Sequence, residues 1–179
     1  WEIASHGLKW IDYREYEIED ERRDLAETVR LHKEVVGERP TGWHTGRTSA
    51  NTVRLVAEEG GFAYCSDTYD DDLPYWLDHD GHGNPIPPQL VIPYTLDAND
   101  MRFATPQGFN SGDQFFAYLR DAFDTLRAEG AAGRPVMMSV GLHCRLIGRP
   151  GRAASLQRFI DHVTSCGDAW IATRLDIAR

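Results

Sequence analysis

Cysteine is scarce in this chain, with only three among 179 residues. Cys65, Cys144 and Cys166 lie far apart and form no Cys-x-x-Cys pair. The sequence therefore predicts neither a disulfide framework nor a zinc ribbon. This cysteine usage fits a reducing compartment, and we expect the protein to be cytoplasmic.

Several other patterns are absent. No apolar run approaches the length that spans a membrane, and no signal peptide is recognisable, so we expect no membrane contact. Nucleophile-elbow, Walker and His-Glu-x-x-His motifs are also lacking, which excludes several common enzyme classes.

Basic residues are too few to balance the acidic ones, and the formal net charge is -9. Repulsion makes nucleic acid, anionic lipid or an acidic polymer poor partners, and a small neutral substrate fits this charge better. The hydrophobic fraction of 41% is enough for one core, and one domain is the default at this length.

The rest of the sequence alternates between short apolar runs and amphipathic patterns. Helical spacing predicts helices over residues 20–36, 113–129 and 151–166, and another from about residue 49 to the glycines at 60 and 61. Apolar runs predict strands over residues 2–5, 62–65, 90–94, 135–142 and 170–173, with a loop at 39–48. This alternation favours a parallel α/β sheet, in which the very apolar run at 135–142 is expected to be buried on both faces. An open doubly wound sheet is an alternative, although no Gly-x-Gly-x-x-Gly turn supports a dinucleotide fold.

Four predicted strands end in polar side chains. His6 follows the first strand and Asp67 the second, Tyr94 ends the third with Asp97 just beyond, and His143 follows the run at 135–142. Because functional groups collect at the carboxyl ends of parallel strands, we expect His6, Asp67 and His143 on one rim.

His6 and His143 are the strongest catalytic candidates. Imidazole titrates near neutrality, so it can accept a proton from water or give one to a leaving nitrogen. For either residue alone, a hydrogen-bonded structural histidine is the alternative.

Other candidates lie in loops. Arg47 can bind a carbonyl or carboxylate through its planar fork, or simply pair with one of the many carboxylates. Within the acidic, aromatic loop at 66–76, Asp67 is the main candidate, and the acidic residues 70–72 fit a solvated loop better than a cation site. Residues 78–82 include two histidines, but a surface turn is favoured over a metal site.

A family resemblance rests on these motifs. Residues 2–7, which include Ser5 and His6, resemble the second motif of the polysaccharide deacetylase superfamily. In that motif a second histidine follows four positions later, and the pair binds a divalent metal together with an upstream aspartate. Here Trp10 stands in that position. Ser5 to Gly7, continuing through 10–13, is similar instead to the allantoinase branch, which is regarded as working without a metal.

Further segments resemble the same branch, namely residues 42–49, 66–76, 91–97, 99–103, 141–145 and 148–152. Trp43 takes the place of a family arginine, and Arg47 is its expected replacement. His143 matches the histidine that the family uses as an acid. The resemblance implies a deformed (β/α) barrel with parallel strands, of which residues 1–179 are the C-terminal portion. We expect further βα units and the family's first acidic motif before Trp1, and we expect this segment alone to be inactive.

The resemblance also implies a function. The protein would hydrolyse the cyclic amide in the hydantoin ring of allantoin, giving allantoate in purine catabolism, with no metal and no cofactor. His6 would act on water, His143 would protonate the leaving nitrogen, and Trp10, Trp43, Arg47, Asp67 and Tyr94 would bind the substrate, a small ureide. The resemblance also implies a homo-oligomer, with a tetramer as the assembly expected for this branch. The alternatives are a metal-dependent deacetylase of polysaccharide or peptidoglycan, and a catalytically inactive binding module.

Overall fold

The computed structural model describes all residues from 1 to 179, and the chain forms two compact units. Unit 1 consists of Trp1–Pro93 together with Ala172–Arg179, and unit 2 consists of Tyr94–Ile171. None of the helices is both long enough and apolar enough to cross a bilayer.

Unit 1 contains three helices and the sheet. Its elements in chain order are α1 (Ile18–Val36), β1 (Gly42–Trp43), α2 (Thr52–Glu59), β2 (Tyr64–Cys65), β3 (Tyr75–His79), β4 (Pro85–Val91) and, after unit 2, α6 (Arg174–Ile177). Helix α1 buries Leu25 and Val29 and ends at Gly37, whose left-handed φ of 93° suits glycine. These side chains pack in one cluster with Trp43, Leu55, Val56, Phe62 and Cys65.

The sheet has the strand order β1-β2-β4-β3. β1 pairs with β2, and β2 with β4, in parallel, whereas β3 runs antiparallel to β4. The predicted α/β class is therefore confirmed, with a mixed and open sheet. Closure into a barrel is not seen among these strands.

The C-terminal segment of unit 1 returns to the start of the chain. Glu2 accepts hydrogen bonds from the Tyr64 hydroxyl at 2.6 Å and from the Leu175 N–H at 2.8 Å. Arg174 donates to the Pro93 carbonyl at 3.2 Å. These contacts complete unit 1 with residues that come after unit 2 in the sequence.

Unit 2 is mainly helical. It contains a 3-10 helix (Asp100–Ala104), α3 (Gly112–Ala131), α4 (Cys144–Ile147) and α5 (Pro150–Cys166). Its own hydrophobic cluster consists of the buried residues Ala98, Phe109, Phe115, Leu119, Ile147 and Phe159.

The long helices were predicted well, and several strands were not. The predicted loop at 39–48 contains β1, and the predicted loop at 66–76 leads into the β3–β4 hairpin. The predicted turn at 78–82 lies at the tip of that hairpin, where the Asp80 N–H donates to the Asn84 carbonyl.

Three predicted strands are corrected. Residues 2–5 are reduced to one parallel bridge between Ser5 and Trp43, and residues 135–142 to one between Gly141 and Asn99. Residues 170–173 form no strand, and Trp170 and Ile171 are exposed. A strand needs a hydrogen-bonded neighbour, and in their units these runs have little or no such pairing despite their apolar composition.

Candidate active site

Three candidate functional side chains, those of His6, His44 and Asp67, lie at the carboxyl edge of the sheet in unit 1. Ser5 lies beside β1, where its N–H donates to the Gly42 carbonyl and its carbonyl accepts from the His44 N–H, both at 2.9 Å. His6 follows this bridge directly, and His44 follows β1. Asp67 follows β2, separated only by Ser66. The structure thus places the predicted residues His6 and Asp67 at the same edge, as parallel segments require.

The carboxylate of Asp67 is completely enclosed, with a side-chain exposure of 0%. One oxygen accepts from the N–H groups of Thr45 at 2.8 Å and Gly46 at 2.9 Å, and the other accepts from the Thr45 hydroxyl at 2.9 Å. Burial by itself would raise the pKa of Asp67. The hydrogen bond and charge of His44 and these backbone donors outweigh it, and they lower the pKa. Asp67 is therefore a buried carboxylate held in its ionised form.

His44 is fixed by two acceptors on the same ring nitrogen. Its Nδ1 lies 3.0 Å from the Ser66 carbonyl oxygen and 3.1 Å from the nearer carboxylate oxygen of Asp67. Because both neighbours only accept hydrogen bonds, Nδ1 carries the proton. The tautomer and the ring plane of His44 are set by these contacts.

His6 stacks on His44. Their ring centroids are 5.3 Å apart and their planes differ by 30°. His6 is exposed on one side, yet the atoms on the other side displace enough water to lower its pKa, and the charge of His44 lowers it further. The charge of Asp67 opposes the shift without cancelling it. His6 is therefore biased toward the neutral, proton-accepting form.

Gly46 lies against both imidazole rings. Its φ of 72° is in the left-handed region, and a Cβ there would come 3.4 Å from His44 Nε2 and 3.8 Å from His6 Cε1. A side chain at this position would carry backbone strain and fill the space beside the rings.

Arg47 and Trp10 form a pair in the same unit. The Arg47 guanidinium lies 4.1 Å from the centroid of the exposed Trp10 ring, and the Arg47 carbonyl accepts from the Tyr13 N–H at 3.0 Å. Trp43, by contrast, is only 4% exposed and packs on Phe62. Trp43 belongs to the core, which leaves little of its surface for the substrate contact that was predicted.

Unit 2 holds the other predicted histidine, His143, against a buried carboxylate. His143 Nδ1 lies 2.6 Å from one oxygen of Asp100, whose side chain is 0% exposed. The other oxygen accepts from the N–H groups of His143 at 2.8 Å and Ile147 at 3.0 Å. A carboxylate in this position requires a proton on Nδ1, so Nε2 is the ring nitrogen that can accept or donate a further proton.

The residues next to Asp100 hold this arrangement in place. Asn99 is fully buried, and its amide donates to the Tyr94 hydroxyl at 3.2 Å and to the Thr95 carbonyl at 3.1 Å. Gly141 pairs with Asn99, and a side chain there would collide with the Asn99 amide and the Tyr94 hydroxyl. Tyr94, predicted to bind substrate, thus takes part in the network that aligns the segments carrying Asp100 and His143.

Two residues of the candidate site were not singled out from the sequence. Asp100 appeared only within the segment 99–103 that resembles the family, and His44 only within the loop that contains Arg47. Neither stands at the end of a predicted strand, so the strand-end rule could not find them. The acidic residues 70–72 lie in an exposed loop, where Asp70 accepts from the Tyr75 hydroxyl at 2.9 Å.

The residues present do not fit a divalent metal. The family position that supplies a second histidine ligand is Trp10, whose ring lies under a guanidinium. No three His, Cys, Asp or Glu side chains are grouped to hold a metal ion in the 179 residues. The carboxylates of Asp67 and Asp100 instead lie against the rings of His44 and His143 and accept from backbone N–H groups.

No protein-family model matches the chain. A protein of Schizosaccharomyces pombe whose name places it among polysaccharide deacetylases is 41% identical over 189 aligned residues, covering 99% of this chain and 59% of that protein. A solved structure from Pseudomonas aeruginosa PAO1, described as a probable polysaccharide deacetylase, is 58% identical with a TM-score of 0.91, covering 99% of this chain and 58% of the other. These similarities support a place for the chain in the polysaccharide deacetylase superfamily.

Within that superfamily, the chain is also similar to PuuE allantoinase. The solved structure of that enzyme is 60% identical, with a TM-score of 0.92, and the match covers 99% of this chain and 58% of the other. The chain therefore spans somewhat under two thirds of the length of the relatives that it matches.

Proposed function

We propose that the protein is a hydrolase of carbon–nitrogen bonds that opens the hydantoin ring of allantoin to give allantoate. The observation that carries this proposal is Trp10, which stands where metal-dependent relatives need a histidine ligand and stacks with Arg47. The similarity to PuuE allantoinase supports the choice of substrate.

His6 acts on water in this proposal. Ring opening adds the oxygen of water to an amide carbonyl, so a proton must leave that water as the carbon–oxygen bond forms. A general base has to be unprotonated at the working pH, and the lowered pKa of His6 supports that state.

His143 supplies the proton that the leaving nitrogen needs. Breaking the carbon–nitrogen bond of a cyclic amide releases a strongly basic nitrogen, which departs readily only when it is protonated. Asp100 fixes Nδ1–H and pairs with the imidazolium, so Nε2 is the donor. His6, which is biased toward its neutral form, suits the role of base. His143, which is bound to a carboxylate, suits the role of acid.

Arg47 and Trp10 provide groups suited to a flat ureide. A guanidinium donates in a plane to carbonyl oxygens, and an exposed indole offers an apolar face to a small ring. We propose these two residues as substrate-binding residues, with Asp67 and Tyr94 acting through the loops that they hold.

A side-by-side assay of the full-length protein tests this function. We expect allantoin to be hydrolysed far faster than acetate is released from N-acetylated chitooligosaccharides or peptidoglycan. We also expect the rate to survive exhaustive chelation. The matched control is His143→Ala, which should lose allantoin turnover while it remains folded.

Three results would contradict the proposal. Faster acetate release than ring opening would assign the protein to the deacetylases. Loss of activity on chelation, with recovery on adding zinc, would restore a metal mechanism. Failure to turn over any of these substrates would favour a binding module.

A further inference from the structure

His44 takes no part in the roles proposed so far, yet it is in direct contact with His6. The two rings stack with their centroids 5.3 Å apart. On its Nδ1 side, His44 is held by the Ser66 carbonyl and by the buried carboxylate of Asp67. One side of this imidazole is thus tied to the sheet edge, and its face lies against the proposed base.

Asp67 makes its hydrogen bonds with the segment that carries His44. Its carboxylate accepts from Thr45 and Gly46, and the ring of His44 lies within ion-pair distance. Because the Asp67 side chain is wholly enclosed, it can affect a substrate only through these residues. Gly46, which Asp67 also holds, lies next to both imidazoles.

We propose that His44 is a positioning residue, through which the buried Asp67 fixes the orientation of the His6 ring for proton transfer. The inference rests on the proposed function in that it takes His6 as the base. Stacking leaves an imidazole few ring orientations, and a base works only when its lone pair points at the proton that it removes. His44 itself need not touch the substrate.

A double-mutant cycle on allantoin hydrolysis by the full-length protein tests this role. His44→Ala should lower kcat roughly 10- to 100-fold, the usual effect of a misplaced catalytic group, with little change in KM. In a His6→Ala background the same change should alter kcat by less than about twofold, because nothing remains for His44 to position. A role in substrate contact or in general folding would instead give additive losses, and additive losses would overturn the proposal.

His44→Asn separates positioning from folding. The asparagine amide can still donate to the Ser66 carbonyl and to Asp67, but it has no ring to stack on His6. We expect the thermal stability of this variant to stay near that of the wild type while kcat stays as low as in His44→Ala. Full recovery of kcat in His44→Asn would show that the ring is dispensable and would contradict the proposal. His82→Ala, which removes an exposed histidine in the hairpin turn, serves as the matched control and should leave kcat unchanged.

A chemical probe keeps this inference separate from the choice of substrate. Diethyl pyrocarbonate modifies neutral, accessible imidazole nitrogens, and peptide mapping reports each histidine individually. Loss of the stacked ring in His44→Ala should speed modification of His6 and leave the rate at His82 unchanged. If the wild-type protein did not hydrolyse allantoin, the proposed function would fail, and this rate would still decide whether His44 constrains His6. An unchanged His6 rate would overturn the positioning role even where allantoin hydrolysis is observed.

Discussion

The two units use the same local device in different ways. In each, a fully enclosed carboxylate, Asp67 or Asp100, accepts from two backbone N–H groups and lies beside the Nδ1 of a histidine. In unit 2 the held histidine is the proposed acid, His143. In unit 1 the held histidine is His44, and the proposed base stacks on it. With the proposed roles, Asp100 would act on a reacting imidazole directly, and Asp67 would act on one through the ring of His44.

The largest expected effect follows from changing Asp100, which contacts the proposed acid His143 directly. In Asp100→Asn, the amide oxygen can still accept hydrogen bonds from the N–H groups of His143 and Ile147. The amide nitrogen then lies against His143 Nδ1. That contact favours the tautomer with the proton on Nε2 and disfavours the imidazolium, so we expect kcat to fall roughly 100- to 10,000-fold. Steady-state kinetics on allantoin measure the loss.

Thermal unfolding provides the control for this change. Asp100→Asn should remain close to the wild type in stability. In Asp100→Ala the His143 N–H loses its acceptor, whereas the Ile147 N–H keeps the His143 carbonyl at 3.0 Å, so the change should cost about 1–3 kcal/mol. A kcat within a few-fold of wild type in a folded Asp100→Asn protein would show that His143 does not depend on this carboxylate.

A smaller effect is expected from changing Asp67, which contacts His44 and reaches the proposed base His6 only through that ring. In Asp67→Asn, the amide oxygen can still accept hydrogen bonds from the N–H groups of Thr45 and Gly46. The Thr45 hydroxyl can turn to accept from the amide nitrogen. The charge beside His44 is lost, but the tautomer of the proposed base is not reversed. We expect kcat to fall about 10-fold, at the lower end of the positioning range. The exposed Asp72→Asn is the matched control, and a loss as large as in Asp100→Asn would remove the distinction between the two devices.

The smallest effect concerns pH. Because the folded protein lowers the pKa of His6 below its ordinary 6.5, the neutral base persists below that pH. We expect the acid limb of the kcat/KM profile to lie below pH 6.5. For stability, the unfolded chain binds more protons at His6, so the contribution of this group is fully present above pH 6.5 and is lost as the pH falls through its folded pKa. An acid limb at or above pH 6.5 would contradict His6 as the base.

The sequence predicted the features that depend on local periodicity. Helices over 20–36, 113–129 and 151–166 agree with α1, α3 and α5 to within a few residues, because their apolar spacing and the glycines that follow α1 and α5 are visible in the chain. The shared edge of His6 and Asp67 was also predicted from local patterns, because each residue follows a short apolar run that is visible in the chain.

What the sequence could not show depends on pairing across long separations. β1 has only two residues, which is too short for an alternating apolar pattern. It forms because Ser5 and β2 pair with it on either side. Asp100 becomes a functional candidate only when Gly141 brings His143 alongside it, about 40 positions later in the chain. The apolar run at 135–142 predicted a strand, but apolar composition does not supply a hydrogen-bonding neighbour.

The return of residues 172–179 to unit 1 has a consequence for the order of folding. Unit 2 is an insertion in the sequence of unit 1, so the hydrogen bonds of Glu2 with Leu175 and of Arg174 with Pro93 can form only after residues 94–171 have been synthesised. A disordered insertion of that length would impose a loop-closure cost, which falls if the insertion first folds around its own core. Unit 2 is therefore expected to gain structure before the last contacts of unit 1 close, although it comes later in the chain.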